Sequence, residues 1–412
     1  MFKQIAEIPA DVVLNRKFLL KEIDPVANIA KFFGFTPIKT PEISKDDLKH
    51  ATHFSSEKLI SKTHDFAPAP EEKIALLRTY LENNFFTLPH PLMLYYKKPM
   101  VNSPKKRSGV FECSLDIIGT SNSVAEALAI KTLLAILSEQ KFNSFVVEIN
   151  TTGDKESTMR FERELNSFIK KNWSDIPTDL KVAIKKNQTE LLTSEDERLA
   201  ELRSRAPKPM GYLSDASILH FKEVLEYLET MEISYRINEY LIGESSFCSQ
   251  TIFRIFGTHD SIKEKENSET LLAYGSRHNY ISKKIGFKKD VSLMSTSIFF
   301  KKPEVVKKII IKESRAPKFY FVQLGFRARL KSLVLIDSLR KAKIPVGHSL
   351  MKDKFLNQIS ATETKKPSYL IIMGQKEAID DTVVIRNVET RAQDTVSVCN
   401  LCTYLQSLSK SR

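Results

Sequence analysis

The chain has 412 residues, enough for two or three domains and a sizeable core. Hydrophobic residues make up 42% and charged residues 27%, and the longest apolar runs, such as SLVLI and YLIIM, are too short to span a bilayer. Sixty-three basic against fifty acidic side chains leave a net charge of +13, which suits a polyanionic partner, and four cysteines are too few for a disulfide framework.

The opening MFKQIAEIPADVV has no long apolar segment, so the sequence predicts no secretory signal and a cytoplasmic location. A lead-in strand and a helix over IDPVANIAKFF are expected before Gly34, followed by the extended, proline-punctuated segment GFTPIKTPEI. PEEKIALLRTYLENNF has helical spacing with Pro70 suited to the first turn. LMLYYKKPM and GVFECSLDIIG read as antiparallel strands joined by the basic loop NSPKKRS. Ser123 and Glu126 have capping-box spacing ahead of the uninterrupted helix VAEALAIKTLLAIL, and SFVVEIN reads as a buried strand.

A helical section is expected over about 155–233, broken at RAPKPMG, with Ile218, Phe221, Val224, Leu225 and Leu228 on one face of its last helix. YRINEYLI, QTIFRIFG, ETLLAYGS and VSLMSTSIFF read as further strands. A second unit follows KESRAPK in the order strand, helix, strand, helix, strand, strand, helix. The domain expectation is a core at 1–314 and an α/β domain at 315–412. The pair Cys399 and Cys402 stands without a second pair, so a buried helical face is expected there and no metal site. His50 and His53 have i, i+3 spacing but no third ligand in sequence, and no phosphate-binding glycine loop is present.

Several of these segments, in order, resemble histidyl-tRNA synthetase, a class II aminoacyl-tRNA synthetase. GFTPIKTPEI is similar to motif 1 around Pro41, and GVFECSLDIIG with SVAEALAI to the second half of motif 2. RAPKPMGYLSDASILHFKEVLEYLETMEISYRINEYL resembles the segment before the histidine-specific motif, and LIIMGQKE with VVIRNVETRAQDTV the anticodon-binding domain. The resemblance implies an α/β fold with an α+β core: a class II antiparallel sheet flanked by helices, a helical insertion and a C-terminal anticodon-binding-like domain. It also implies a homodimer, tRNA or tRNA-like RNA as partner, and ATP with Mg as cofactors.

Carried over residue by residue, the resemblance places Glu71, Arg78, Glu112, Asp116 and Arg277 in an amino-acid pocket. Other family positions are altered. Ala69 replaces an arginine, Lys73 a threonine, Asn102 the motif 2 arginine, Gly243 the histidine-specific arginine and Phe299 the motif 3 arginine. Activation brings a carboxylate onto the α-phosphate of ATP, so fixed cations must neutralise both anions. The basic loop, with Lys97, Lys98, Lys105, Lys106 and Arg107, and the C-terminal Arg327, Arg329 and Arg340 are the RNA-binding candidates. The expected function is RNA binding with weak or absent histidine ligation. A divergent active ligase and a regulatory or scaffolding subunit are the alternatives.

Overall fold

The computed structural model describes residues 25–52, 54, 70–99, 110–243, 247–259, 270–301 and 317–410. The expected lead-in strand, Ala69, Asn102, Lys105, Lys106, Arg107, His53 and the expected boundary at 314/315 lie outside these residues.

The first elements are α1 (Pro25–Phe32), β1 (Thr36–Pro37), α2 (Lys45–Ala51), α3 (Pro70–Glu82), β2 (Leu92–Pro99), β3 (Val110–Ile118), α4 (Val124–Glu139) and β4 (Phe142–Thr151). The helical section follows as α5 (Lys155–Lys171), α6 (Thr178–Lys186), α7 (Glu190–Thr193), α8 (Ala200–Arg205) and α9 (Asp215–Thr230). Next come β5 (Tyr235–Ile237), β6 (Ser249–His259), β7 (Thr270–Arg277), α10 (Ile281–Lys284) and β8 (Leu293–Lys301). The C-terminal unit comprises β9 (Phe319–Gln323), α11 (Phe326–Lys341), β10 (Val346–His348), α12 (Phe355–Lys365), β11 (Tyr369–Met373), α13 (Gln375–Ile379), β12 (Thr382–Asn387), β13 (Gln393–Ser397) and α14 (Leu401–Lys410).

Among the described residues, eight strands form one sheet in the order β1-β2-β3-β8-β7-β6-β4-β5. Its interior pairings are antiparallel, and only the short end strands β1 and β5 pair parallel to their neighbours. Strand alternation gives this sheet two unlike faces. Cys113, Leu115 and Ile117 of β3 enter the main core with α4, a helix apolar around most of its circumference and buried accordingly. Glu112, Ser114 and Asp116 point the other way, toward α3. A second sheet, β10-β9-β11-β12-β13, carries the C-terminal unit.

The two units share one continuous core. The Tyr227 ring of α9 meets Phe326 of α11 edge-on at 5.4 Å. Lys131 of α4 reaches Asp337 of α11 at 3.0 Å, and the Asn122 amide donates to the Met351 carbonyl and the Asp353 carboxylate.

Four expectations are corrected. Ser123 makes no side-chain cap, and Glu126 is drawn away into a buried ion pair. Ile218 is 51% exposed, whereas Tyr227 joins Phe221, Val224 and Leu228 inside. The strand expected across YRINEYLI stops at Ile237. The C-terminal unit has an extra short helix, α13, and an extra strand, β13, whose largely exposed residues carry no apolar alternation.

Candidate functional site

Strand register brings a row of polar side chains across the α3-facing side of the sheet: Tyr96, Ser114, Ser297, Tyr274, Arg254 and Glu148. The row on one side of it holds Asp116 and Ser295, and the row on the other side Lys98, Glu112 and Phe299. Glu112 and Asp116, four residues apart on β3, therefore lie on the same face of the sheet.

Across the cleft from this face is α3. Lys73 descends from its first turn, with a side chain only 2% exposed, to donate to Ser114 Oγ at 3.1 Å and approach Asp116 Oδ1 at 3.6 Å. Ser114 in turn donates to Asp116 Oδ2 at 2.8 Å, and Ser295 also donates to this carboxylate. Burial alone would push the Lys73 ammonium down, but Asp116, with Glu72 and Glu112, holds it above the ordinary lysine value. Burial pushes the Tyr96 and Tyr274 phenols up, so both remain protonated. Lys98 lies between Glu112, at 3.1 Å, and Glu72.

The other candidates are distributed differently. Glu72, rather than Glu71, reaches the strand wall through Lys98; Glu71 sits half-buried in the first turn of α3. Arg78 lies one turn beyond Lys73, where it joins Asp47 at 3.0 Å, Glu82 at 2.9 Å and the Glu42 carbonyl. It ties α3 to α2 rather than facing Asp116. Arg277 stands opposite Met294, on the core face of the sheet. Fully buried, it pairs with Glu126 at 2.5 Å and donates to the Thr120 and Asn122 carbonyls. The structure does not bring it to the pocket face.

The altered positions have their own packing. A Cβ at Gly243 would lie 2.6 Å from the Cβ of Cys248, so the space beside this backbone is filled. Phe299 is 9% exposed and packs its ring against Tyr274, with centroids 5.9 Å apart. Sequence reasoning overlooked Arg254, whose half-buried guanidinium lies opposite both Tyr274 and Glu148 in the strand register. Burial pushes Arg254 below the usual arginine value, and Glu148 offsets this only in part. The signal was its place in QTIFRIFG, alternating with the core residues Phe253 and Ile255.

The RNA-binding candidates separate too. Lys98 is held in the cleft, and Lys97, opposite Cys113, is half-buried on the other face of β2. Arg327 is exposed, Arg329 is taken by Asp353, and Arg340 donates to Asp337 at 2.9 Å. Cys402 packs against the core, but Cys399 is exposed in a short turn before α14, which corrects the expected buried pair. Among the described residues no cluster of three or more His, Cys, Asp or Glu side chains has a metal-ligating arrangement. No described helix is long and apolar enough to cross a membrane.

Comparison with known proteins agrees with this architecture. Residues 322–408 match the anticodon binding domain family. A chloroplastic histidine–tRNA ligase of Porphyra purpurea is 22% identical over 400 residues, covering 94% of this chain and 92% of the relative. The histidine–tRNA ligase of Latilactobacillus sakei is 22% identical over 392 residues, covering 90% and 88%. The chain is histidyl-tRNA synthetase-like. In structure it is similar to apo histidyl-tRNA synthetase of S. aureus, with a TM-score of 0.50 at 16% identity over 98% of this chain and 99% of that one. This synthetase-like chain thus combines the class II sheet with an anticodon-binding domain, while much of its pocket face is occupied by its own charges.

Proposed function

We infer that the chain binds tRNA or a related RNA and activates histidine weakly or not at all, acting as a cytoplasmic homodimer. One observation carries the reading: the lysines of this face are already bound by its own carboxylates. Two ammonium groups, Lys73 and Lys98, face three carboxylates, Glu72, Glu112 and Asp116, which leaves the group one negative charge in excess. A triphosphate needs the opposite balance. Phe299 adds an apolar ring, and Arg254 stands at the far side of Tyr274, opposite a Glu148 that is already bound by Arg236. The described residues of the cleft therefore do not fit ATP with Mg. Losing one preorganised donor to a developing oxyanion costs roughly 10²–10³ in rate, and several such positions are altered here.

RNA binding is supported by the net charge of +13 and by the match at residues 322–408 to an anticodon binding domain. A homodimer is supported by exposed Ile43, Leu48, Leu81 and Phe86 around α2 and α3, beside the segment that resembles motif 1. Sedimentation of the full chain should give the mass of two subunits.

ATP–pyrophosphate exchange with each amino acid, alongside filter binding of bulk tRNA across a salt series, tests the reading. The expected result is exchange at background and tRNA retention that weakens steeply with salt. Robust exchange with histidine would remove the inactive half of the proposal, and the lack of salt-sensitive tRNA retention would remove the other.

A further inference from the structure

Lysine is an unusual residue to bury, because its ammonium loses hydration that only good acceptors can replace. Lys73 nonetheless ends in a built environment. Its head group is within reach of Ser114 Oγ and the Asp116 carboxylate, and that carboxylate is fixed from two sides by Ser114 and Ser295. Two further hydroxyls in the same row, Tyr96 and Ser297, are buried and make no well-formed hydrogen bond of their own. An ammonium has three N–H donors and no acceptor, and this lining supplies a carboxylate and hydroxyl oxygens. Nothing in it requires that the amine be attached to the chain.

We propose that the Asp116 pocket is a receptor for a primary ammonium ion, and that Lys73 is its tethered occupant, excluding free amines from that one position. Lys73 is thus a specificity-determining residue. The proposal deepens the reading above by naming what fills the Asp116 pocket, and it stands on the Lys73–Asp116 geometry whether or not exchange is detected. The tether raises the local concentration of the ammonium far beyond that of a free amine, so the intact protein is closed to competition.

Removing the side chain should convert occupant into ligand. Lys73→Ala deletes a propylammonium fragment and leaves Asp116 facing an empty, polar space. The full-length variant should melt below the wild type, and propylammonium chloride should raise its melting temperature saturably. At ten times the dissociation constant the rise should be about 2 °C for a chain of this length, as linkage gives for a ligand that binds only the folded state. Tetramethylammonium chloride at equal ionic strength, which has no N–H to donate, should leave it unmoved. Wild type and Lys73→Met, whose apolar chain fills the same space, should respond alike to both salts. Adding Asp116→Asn to Lys73→Ala should abolish the response.

A folded Lys73→Ala protein that responds equally to both salts overturns the proposal. If this variant does not fold unaided, refolding from urea replaces melting. Native protein recovered in propylammonium but not in tetramethylammonium supports the receptor; equal recovery, or none in either, overturns it. Pyrophosphate exchange scored on the same samples keeps the two readings apart. Histidine-dependent exchange by wild type would sink the inactive reading and leave the amine response standing or falling by itself.

Discussion

Glu126 and Arg277 show how far a single side chain can depart from its local sequence pattern. At the third position of α4, Glu126 has the spacing of a capping box, yet it is fully buried and reaches across to β7. Burial would raise its carboxyl, but Arg277 and then His220 pull it down to about 2. Because the folded value lies below the ordinary 4.5, this pair contributes stability in full above that pH and loses it as pH falls through about 2. Arg277 also holds the Thr120 and Asn122 carbonyls, so it fastens the β3–α4 turn. Arg277→Met should cost about 3–5 kcal/mol, since it strands a buried carboxylate. Arg277→Met with Glu126→Leu should recover much of that loss, though not the two carbonyl bonds. Urea unfolding midpoints of the single and double variants check this. Equal destabilisation in both would show that the carbonyls, not the charge pair, carry the cost. The partner of Glu126 lies 151 residues away, so no local spacing could have revealed it.

At the scale of elements, alternation made the strands legible and left their neighbours hidden. GVFECSLDIIG predicts β3 correctly because Cys113, Leu115 and Ile117 alternate with Glu112, Ser114 and Asp116. It also places the two β3 acids on a common face. Lys73 was legible only as an altered position, because lysine in a surface helix is ordinarily solvated and its burial depends on how α3 lies over the sheet. The same distinction divides the basic residues of α11. Arg327 is exposed, whereas Arg329 is bound to Asp353 and lies beside Tyr227 of α9. Arg327→Ala should leave unfolding unchanged and, if it contacts a phosphate, lower the salt slope of tRNA binding by about 1. Arg329→Ala should lower the unfolding midpoint and leave that slope unchanged. Filter binding and urea titration of both variants measure the two effects. A slope change confined to Arg329→Ala would reverse the assignment.

At the scale of the whole molecule, one group at the junction of the two units and one inside the larger unit respond to acid. His348 at the end of β10 lies against Gly34, just after α1, and is hydrogen-bonded to the Phe33 backbone. Burial depresses its ring to about 4, while the Phe33 contact opposes that shift. His278, fully buried after β7, is pushed down to about 3 by burial, with Lys73 and Arg277 adding to the effect and the Phe247 carbonyl opposing it. Both rings are neutral in the folded chain at pH values where an unfolded histidine, with its value of 6.5, takes a proton. Stability is therefore complete above about 6.5 and falls as pH drops toward the folded values, by about 1.4 kcal/mol per pH unit for each ring in that interval. His348→Gln keeps a polar side chain without the titration. Between pH 6 and pH 4.5 its unfolding free energy should decline less steeply than that of wild type, by the contribution of one ring. Because His348 sits where the C-terminal unit meets α1, acid should weaken that junction in particular. Hydrogen exchange at pH 5 should show faster opening of β10 in wild type than in His348→Gln, relative to each protein at pH 7. Identical pH slopes would mean that the junction already tolerates a charged imidazole, and that His278 with other groups accounts for the acid lability.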